Sequence, residues 1–245
     1  MKLAVVGKGG SGKTTAAAVL ARTLARRGLG VVALDCDTNP NLGISLGIGE
    51  EETERLMAMR QALDEGNEEH APGWGDLLDR FGTAAPDGVQ LAVVSRIDNP
   101  DPGCPCCGLS PEQLLGVVDP GATVVVADLE AGIGTLTRLA EGVVDLVVVV
   151  VEPTPKSLEV GTRAAALAAQ RHLGRTVVVA NRVQAEADVA AIRAAFPGLD
   201  VMAVPYDIAI SDADREGGAP LDISPSSPGV RALSDFAESV YRLVA

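Results

Sequence analysis

The chain has 245 residues, of which 47% are hydrophobic, and its formal net charge is −13. This length suits a single α/β domain spanning residues 1–245 and is too short for two such domains joined by a linker. The acidic balance argues against a protein that a general positive field holds on DNA or on anionic lipid. We therefore expect no nucleic-acid partner.

Neither a membrane span nor a secretory signal is predicted. Apolar runs such as Leu146–Val151 are far shorter than the roughly 20 residues that a transmembrane helix needs. The first residues lead directly into a strand pattern, without the apolar core and the cleavage site of a secretory signal. These features predict a cytoplasmic protein without a membrane partner.

Short runs of β-branched and other apolar residues recur along the chain and alternate with segments rich in Ala, Leu and Arg. The runs lack the apolar–polar alternation of a half-exposed strand, which indicates strands covered by helices on both faces. The pattern predicts a doubly wound α/β fold whose mostly parallel sheet has about seven strands flanked by helices. The predicted strands are residues 3–6, 31–34, 89–94, 123–127, 146–151, 176–180 and 201–204.

Two further segments are predicted to be helical. Residues 50–88 are acidic and carry apolar residues at helical spacing, so we expect helical excursions beyond the sheet. Near the C-terminus, an apolar stripe predicts a helix that docks on the domain rather than on a membrane. The stripe consists of Val230, Leu233, Phe236, Val240 and Leu243.

The strongest functional signal is the segment from Gly7 to Thr14, which matches the phosphate-loop pattern G-x-x-x-x-G-K-[ST]. It follows a predicted strand and opens a predicted helix, which favours this interpretation over an ordinary glycine-rich turn. Backbone N–H groups of such a loop converge on phosphate oxygens, Lys13 is expected to reach the β- and γ-phosphates, and Thr14 is expected to bind Mg²⁺. The predicted nucleotide-binding residues of the loop are Gly7, Gly9, Gly10, Ser11, Gly12, Lys13, Thr14 and Thr15.

Carboxylates follow two predicted strands on the same edge of the sheet as the phosphate loop. Asp35 and Asp37 lie in the turn after the second strand, for which an ordinary Asp/Asn turn is the alternative interpretation. The strand at 123–127 ends in Asp128, an arrangement typical of a Walker B carboxylate, so we expect Asp128 to contact Mg²⁺. Gly132 would let the next loop respond to the γ-phosphate.

The form K-G-G-x-G-K-T-T, in residues 8–15, resembles the deviant Walker A loop of the MinD/ParA superfamily. The resemblance implies that Lys8 crosses a homodimer interface to the partner's nucleotide; a solvated lysine beside an anionic ligand is the alternative. It also implies that Asp37 orients or deprotonates the attacking water, so the predicted catalytic residues are Lys8, Lys13 and Asp37. The implied reaction is hydrolysis of ATP to ADP and phosphate, slow without a partner.

Two strand ends are predicted to form the base pocket. The resemblance implies that Asn181 lies at the adenine edge together with main chain near Pro205, with a strand-capping asparagine as the alternative. The usual guanine-reading sequence N-K-x-D does not follow this strand, which favours ATP over GTP. The residues predicted to bind nucleotide here are Asn181, Arg182, Pro205 and Asp207.

Three cysteines, Cys104, Cys106 and Cys107, crowd a loop predicted at residues 100–110. In a reducing compartment, clustered thiols more often bind metal or do redox chemistry than form a disulfide framework. One C-x-C pair supplies two good ligands, but a twofold axis would bring four together, enough for zinc, nickel or an iron–sulfur cluster. Reduced thiols with only a packing role are the alternative.

The chain also resembles the CooC-type ATPases, which help insert nickel into carbon monoxide dehydrogenase. The resemblance implies that Cys104 and Cys106 bind Ni²⁺ or Zn²⁺ at a dimer interface and that the client is a metalloenzyme such as carbon monoxide dehydrogenase. Cys107 departs from that pattern and leaves the ligand pair open. Besides the C-x-C, the resemblance extends through residues 7–15, 35–42, 128–133 and 152–154.

Two alternatives to a metal-inserting ATPase stay open. One is an iron–sulfur ATPase of the nitrogenase iron protein group, which is less expected because residues 128–135 contain no cysteine. The other is a MinD/ParA-like positioning ATPase without metal, which would not explain the cysteines.

Overall fold

The computed structural model describes residues 1–63, 78, 82–94, 111–117 and 121–244, and the predicted cysteine loop at 100–110 lies outside them. The described strands form one eight-stranded sheet. They are β1 (Lys2–Gly7), β2 (Val31–Cys36), β3 (Gly82–Ala84), β4 (Gln90–Val93), β5 (Val124–Leu129), β6 (Leu146–Val151), β7 (Arg175–Val183) and β8 (Asp200–Pro205).

The strand order is β3-β4-β2-β5-β1-β6-β7-β8, with every neighbouring pair parallel except β3 and β4. The mostly parallel, doubly wound sheet predicted from the apolar runs is confirmed, and all seven predicted strands are present. β1 lies between β5 and β6, and Ala4 pairs with Ala127 on one side and Val147 on the other. The strand that enters the phosphate loop is therefore central in the sheet.

The described helices lie between and around the strands. They are α1 (Lys13–Arg26), α2 (Leu42–Leu46), α3 (Glu50–Leu63), α4 (Pro111–Val117), α5 (Gly134–Arg138), α6 (Pro155–Gln170), α7 (Glu186–Ala195), α8 (Ile208–Arg215), α9 (Pro220–Ile223) and α10 (Pro228–Val244). Residues Pro86–Gly88 form a 3-10 turn. None of these helices combines the length and the hydropathy needed to span a bilayer.

The sheet is buried on both faces because successive side chains of each strand point to opposite sides. Leu3 and Val5 of β1 belong to the apolar cluster that includes α1 and α10, whereas Ala4 and Val6 belong to the cluster that includes α6 and α7. Full burial of one such Val or Leu side chain stabilises the fold by about 1.5–3 kcal/mol. The two clusters hold the strand ends, and hence the site, in fixed relative positions.

Two sequence predictions need correction. Residues 82–84, inside the region predicted to be helical, form β3, an edge strand antiparallel to β4. The C-terminal stripe is buried from Val230 to Val240, but Leu243 is 50% exposed. Leu243 therefore contributes little to the core, whereas Tyr241 of the same turn packs against it.

Candidate nucleotide site

The carboxyl ends of β2, β5 and β1 meet at one edge of the sheet because these strands are parallel neighbours. The register pairs Asp128 of β5 with Val5 of β1 on one side and with Asp35 of β2 on the other. Gly7, at the end of β1, opens the phosphate loop. Pairing therefore places two carboxylates beside the start of the loop, as ligand sites in such sheets require.

Two glycines let the loop fold tightly over the strand ends. A Cβ atom on Gly7 would lie 2.3 Å from the carbonyl oxygen of Val150, and one on Gly12 would lie 2.3 Å from Asn181 Nδ2. Gly12 also has a φ of 93° at the start of α1. Any larger residue at either position would force the loop away from the strands that support it.

Lys13 and Ser11 are enclosed by the loop. Lys13 is 6% exposed, and its Nζ donates a long hydrogen bond of 3.5 Å to the carbonyl oxygen of Lys8. The Ser11 side chain is fully buried, and its Oγ has no hydrogen-bond partner among the described residues. Lys8 lies at the edge of the loop, where its exposed Nζ donates to the Gly9 carbonyl oxygen at 3.2 Å. The loop thus holds one enclosed ammonium and one exposed ammonium.

Asp35 and Asp128 form a buried acidic pair, each 1% exposed. Burial raises the pKa of Asp128 to about 6, although a hydrogen bond from Thr14 and the charge of Lys13 favour its ionised form. Burial, and then the charge of neighbouring Asp128, raise the pKa of Asp35 to about 8. Asp128 Oδ1 has no hydrogen-bond partner within the described part of the chain. Two adjacent desolvated carboxylates with an unpartnered oxygen favour a cation as ligand.

The turn after β2 separates the two aspartates of the D-x-D pair. Asp35 accepts the N–H groups of Asp37 at 3.2 Å and Leu42 at 2.8 Å, so it holds the turn in place. Asp37 is only partly buried, and its Oδ1 accepts the N–H of Asn39 at 2.9 Å. The structural role of Asp35 was missed from the sequence, although its position at the end of an apolar strand indicates burial.

A second contact missed from the sequence joins the turns after β2 and β5. Thr38 Oγ1 donates to Glu130 Oε1 at 3.2 Å across 92 residues of chain. The turn after β5 also bonds to the phosphate loop, because the N–H of Gly132 donates to the Gly7 carbonyl oxygen at 3.0 Å. The three segments that surround the site are therefore linked, and no local sequence signal indicates these contacts.

The predicted base-pocket residues lie at the ends of β7 and β8. Asn181 and Arg182 contact the phosphate loop, whereas Pro205 ends the neighbouring strand β8. Asp207 directly precedes α8 and caps it: its Oδ1 accepts the N–H of Ala209 at 3.0 Å and its Oδ2 that of Gly229 at 2.7 Å. Both oxygens of Asp207 therefore already hold backbone groups.

A cleft of about 540 Å³ adjoins the first turn of α1 at Thr14 and Thr15. The region around α2 and the last turn of α8 line its other walls. None of the predicted base-pocket residues lines this cleft.

No cluster of three or more His, Cys, Asp or Glu side chains that could hold a metal ion occurs among the residues described. The predicted thiol ligands Cys104, Cys106 and Cys107 lie outside the described residues, so this finding does not concern them.

Residues 3–221 match the CobQ/CobB/MinD/ParA nucleotide binding domain. The chain belongs to this family. It is a MinD/ParA-family ATPase with a P-loop fold, which confirms the family, the fold class and the activity predicted from the phosphate loop.

Two relatives of this MinD/ParA-family ATPase are similar along most of their length. The carbon monoxide dehydrogenase accessory protein CooC of Rhodospirillum rubrum is 30% identical, with 92% of this chain and 91% of CooC covered. An uncharacterized ATP-binding protein of Methanocaldococcus jannaschii is 33% identical, with 84% of this chain and 86% of the relative covered. The ATPase is therefore CooC-like.

Solved structures show the same fold. The septum site-determining protein MinD of Pyrococcus horikoshii, complexed with Mg-ADP, superposes with a TM-score of 0.72 at 20% identity, covering 100% of this chain and 96% of MinD. The cell division ATPase MinD of Pyrococcus furiosus gives a TM-score of 0.70 at 21% identity, with 99% and 98% covered. Nucleotide and Mg²⁺ fit the family to which the chain belongs.

Proposed function

We propose that this chain is an ATPase that forms a homodimer when nucleotide binds and delivers a divalent metal ion to a client metalloenzyme. The proposed ion is nickel. The observation that carries the proposal is the 30% identity to CooC across 92% of the chain. CooC is by name an accessory protein of carbon monoxide dehydrogenase. An enzyme of that kind is the proposed client.

The strand ends fit a magnesium ion. Mg²⁺ prefers oxygen ligands and keeps several waters, and Asp128 offers a buried carboxylate oxygen without a partner among the described residues. The Thr14 hydroxyl bonds to the same carboxylate. We assign Thr14 directly, and Asp128 through water, to hold the ion. When bound, it neutralises charge on the β- and γ-phosphates.

The hydrolysis step is assigned to Lys13 and Asp37. Lys13 places a positive charge inside the loop, where the phosphates would lie, and stabilises negative charge that builds up there. Asp37 orients or deprotonates a water whose oxygen bonds to the γ-phosphorus as the bond to the β–γ bridging oxygen breaks, giving ADP and phosphate. Asp35 is not a candidate for this step because both of its oxygens hold the turn.

Lys8 is assigned the contact across the dimer interface. Its Nζ is exposed and bonds to the adjacent Gly9 carbonyl oxygen, so its charge faces solvent at the edge of the loop. In a closed dimer this ammonium would neutralise phosphate charge on the nucleotide of the second copy. Association should therefore depend on bound nucleotide, and hydrolysis should be slow until a client favours the closed dimer.

The proposed adenine contacts are Asn181 and main chain near Pro205. The strand ends β7 and β8 that carry them are parallel neighbours. Asp207 is assigned a supporting role, because its carboxylate caps α8 and binds the start of α10. The guanine-reading sequence N-K-x-D does not follow β7, which supports ATP as the nucleotide.

The metal cargo is assigned to Cys104 and Cys106, with Cys107 as a further thiolate. Two copies would supply four thiolates from the C-x-C pairs, enough for one Ni²⁺ or Zn²⁺ ion per dimer. Thiol ligands bind metal as thiolates, so binding should release protons and tighten as the pH rises. An iron–sulfur cluster is the alternative cargo.

Nickel titration of anaerobically purified protein, with and without ATP, tests the metal function. The wild type should bind about one Ni²⁺ per two chains, whereas the Cys104→Ser/Cys106→Ser variant should lose this binding. Cys36→Ser is the matched control, because Cys36 lies buried at the end of β2. Equal stoichiometry and affinity in the wild type and the double variant would refute the cysteine site, and a wild type that binds no Ni²⁺ would favour a positioning ATPase without metal.

A further inference from the structure

Asn181 and Arg182 are consecutive residues, yet both of their side chains bond to the phosphate loop. In a regular strand, successive side chains point to opposite faces of the sheet. The pairing of β7 with β8 is irregular here: β7 advances three residues from Ala180 to Val183 while β8 advances two. This extra residue is a β-bulge, a feature that often re-aims side chains beside functional sites.

The bulge has a strained backbone at Arg182. Its φ is 56°, in the left-handed region that side chains other than glycine seldom adopt. Nothing in the local sequence requires this conformation, because neither Asn181 nor Val183 is a turn-forming glycine or proline. Strain of this kind persists only where surrounding contacts impose it, and it occurs preferentially at functional sites.

Each of the two side chains holds one carbonyl group of the loop. Asn181 Nδ2 donates to the carbonyl oxygen of Ser11 at 2.8 Å, and Arg182 Nη1 donates to the carbonyl oxygen of Gly10 at 3.0 Å. In a trans peptide the C=O and N–H groups point in opposite directions, so fixing the carbonyl also fixes the N–H of the same peptide group. The Asn181 bond therefore sets the direction of the Gly12 N–H group. The Arg182 bond acts together with the hydrogen bond that the Ser11 N–H donates to the Lys8 carbonyl oxygen at 3.1 Å, so that the Gly10–Ser11 peptide group is held at both ends.

Arg182 is itself held by a carboxylate. The same Nη1 lies 2.5 Å from Glu152 Oε1, and the side chain of Glu152 is only 17% exposed against 46% for Arg182. Glu152 follows β6, and its N–H donates to Ser157 Oγ at 2.9 Å, which anchors it to the first turn of α6. A half-exposed arginine samples many rotamers, and this ion pair restricts the guanidinium to one position over Gly10.

We propose that Arg182, oriented by Glu152, is a positioning residue that presets the Gly10–Ser11 peptide group of the phosphate loop for nucleotide binding. This role replaces the direct nucleotide contact predicted for Arg182, and it rests on the proposed nucleotide function of the loop. A preset loop loses less conformational freedom when phosphate binds, and so binds more tightly. Because ATP and ADP share the loop, the effect belongs to affinity and KM rather than to kcat.

The first test measures ADP affinity by calorimetry with Mg²⁺, and the KM and kcat of ATP hydrolysis. Arg182→Ala should weaken ADP binding and raise KM about tenfold, as expected for one charge-assisted hydrogen bond, with kcat within twofold of wild type. The ADP affinity of Arg182→Lys should lie between those of wild type and Arg182→Ala. The matched control is Arg175→Ala at the other end of β7, where Arg175 pairs with Asp200 at 2.5 Å and is 54% exposed; it should bind ADP as wild type does.

Two further measurements separate positioning from a structural role. Ethylguanidinium should restore part of the ADP affinity of Arg182→Ala, which loss of folding could not explain. Glu152→Gln should weaken binding about threefold, and the Arg182→Ala/Glu152→Gln variant should be no weaker than Arg182→Ala, because Glu152 acts through Arg182.

Three results would overturn the inference. They are equal ADP affinity in wild type and Arg182→Ala, a loss confined to kcat, and fully additive losses in the double variant. If the wild type itself bound no ADP, the proposed nucleotide function would fail first and this inference with it. The two failures are therefore distinguishable.

Discussion

The two ends of the parallel strands differ in whether their polar groups have hydrogen-bond partners. At the amino end, Asp145 accepts a backbone N–H bond of 2.6 Å and Arg175 pairs with Asp200. At the carboxyl end, Ser11 Oγ and Asp128 Oδ1 are buried without a hydrogen-bond partner among the described residues. A buried polar atom left unpaired costs about 1–3 kcal/mol. The carboxyl end therefore carries a cost that a bound ligand can offset.

The two ends also differ in how their acidic side chains are placed. At the amino end the exposed Asp200 pairs with Arg175, whereas at the carboxyl end the buried carboxyl groups of Asp35 and Asp128 lie side by side in the sheet. Unpaired buried groups mark the end of the sheet where the ligand is expected, and the following changes test that contrast.

Removing the enclosed ammonium should have the largest effect. Lys13 is 6% exposed, and its Nζ lies within the loop near the Lys8 carbonyl oxygen, so its charge has no substitute there. Lys13→Ala should weaken ADP binding about 100-fold or more, measured by titration with a fluorescent nucleotide. Lys156→Ala, at an exposed lysine in the first turn of α6, should bind as wild type does. Similar ADP affinity in Lys13→Ala and wild type would show that the loop does not bind the nucleotide.

Replacing the carboxylate of Asp37 should separate binding from hydrolysis. An amide cannot accept a proton, so phosphate release by Asp37→Asn should fall about 100-fold, within the usual range for a general base. ADP affinity should stay within twofold of wild type. Glu159→Gln is a suitable control because Glu159 pairs with Arg163 on the surface of α6. Unchanged turnover in Asp37→Asn would exclude Asp37 from the mechanism.

A smaller effect is expected on the pH dependence of stability. The pKa of Asp35 is raised to about 8 in the fold, against about 3.9 for an unperturbed aspartate, so the folded state holds a proton that the unfolded state releases. The Asp35 contribution to the free energy of unfolding is therefore fully present below about pH 4 and is lost as the pH rises towards 8, by at most about 1.4 kcal/mol per pH unit.

Denaturant unfolding without nucleotide, from pH 5 to 8, measures this slope. Asp35→Asn, which cannot ionise, should become more stable relative to wild type as the pH rises. Mg-ADP should reduce the difference, because a cation beside Asp128 favours the ionised pair. A stability difference that does not change with pH would show that Asp35 titrates normally.

The sheet and the loop could be predicted because their signals are local. A valine run such as Leu146–Val151 indicates a buried strand wherever it occurs, and G-x-x-x-x-G-K-[ST] after such a run requires a specific strand–loop–helix geometry. Asp128 follows from the same logic, since parallel strands end at one edge. The three-residue strand β3, with sequence Gly-Thr-Ala, has no such signal, because pairing with β4 alone fixes it.

The finer geometry of the site depends on register and on contacts between distant segments. The bulge that turns Arg182 over the loop arises from how β7 pairs with β8, which no local pattern encodes. The nucleotide contact of Asp207 stays a prediction, and the sequence does not indicate that this side chain also accepts the N–H of Gly229, 22 residues away. The contact between Thr38 and Glu130 spans 92 residues. Residue types could be assigned to the site in advance, whereas their partners required the fold.

The most direct test of the account is whether nucleotide bound at the carboxyl end of the sheet makes two copies of the chain associate. Light scattering on Asp37→Asn protein with Mg²⁺ and ATP should give twice the mass of one chain, and ADP should give less of this dimer. The Lys8→Ala/Asp37→Asn variant should still bind ATP but dimerise at least tenfold more weakly, because it lacks the exposed ammonium at the edge of the loop. A monomer under all nucleotide and metal conditions would contradict the account.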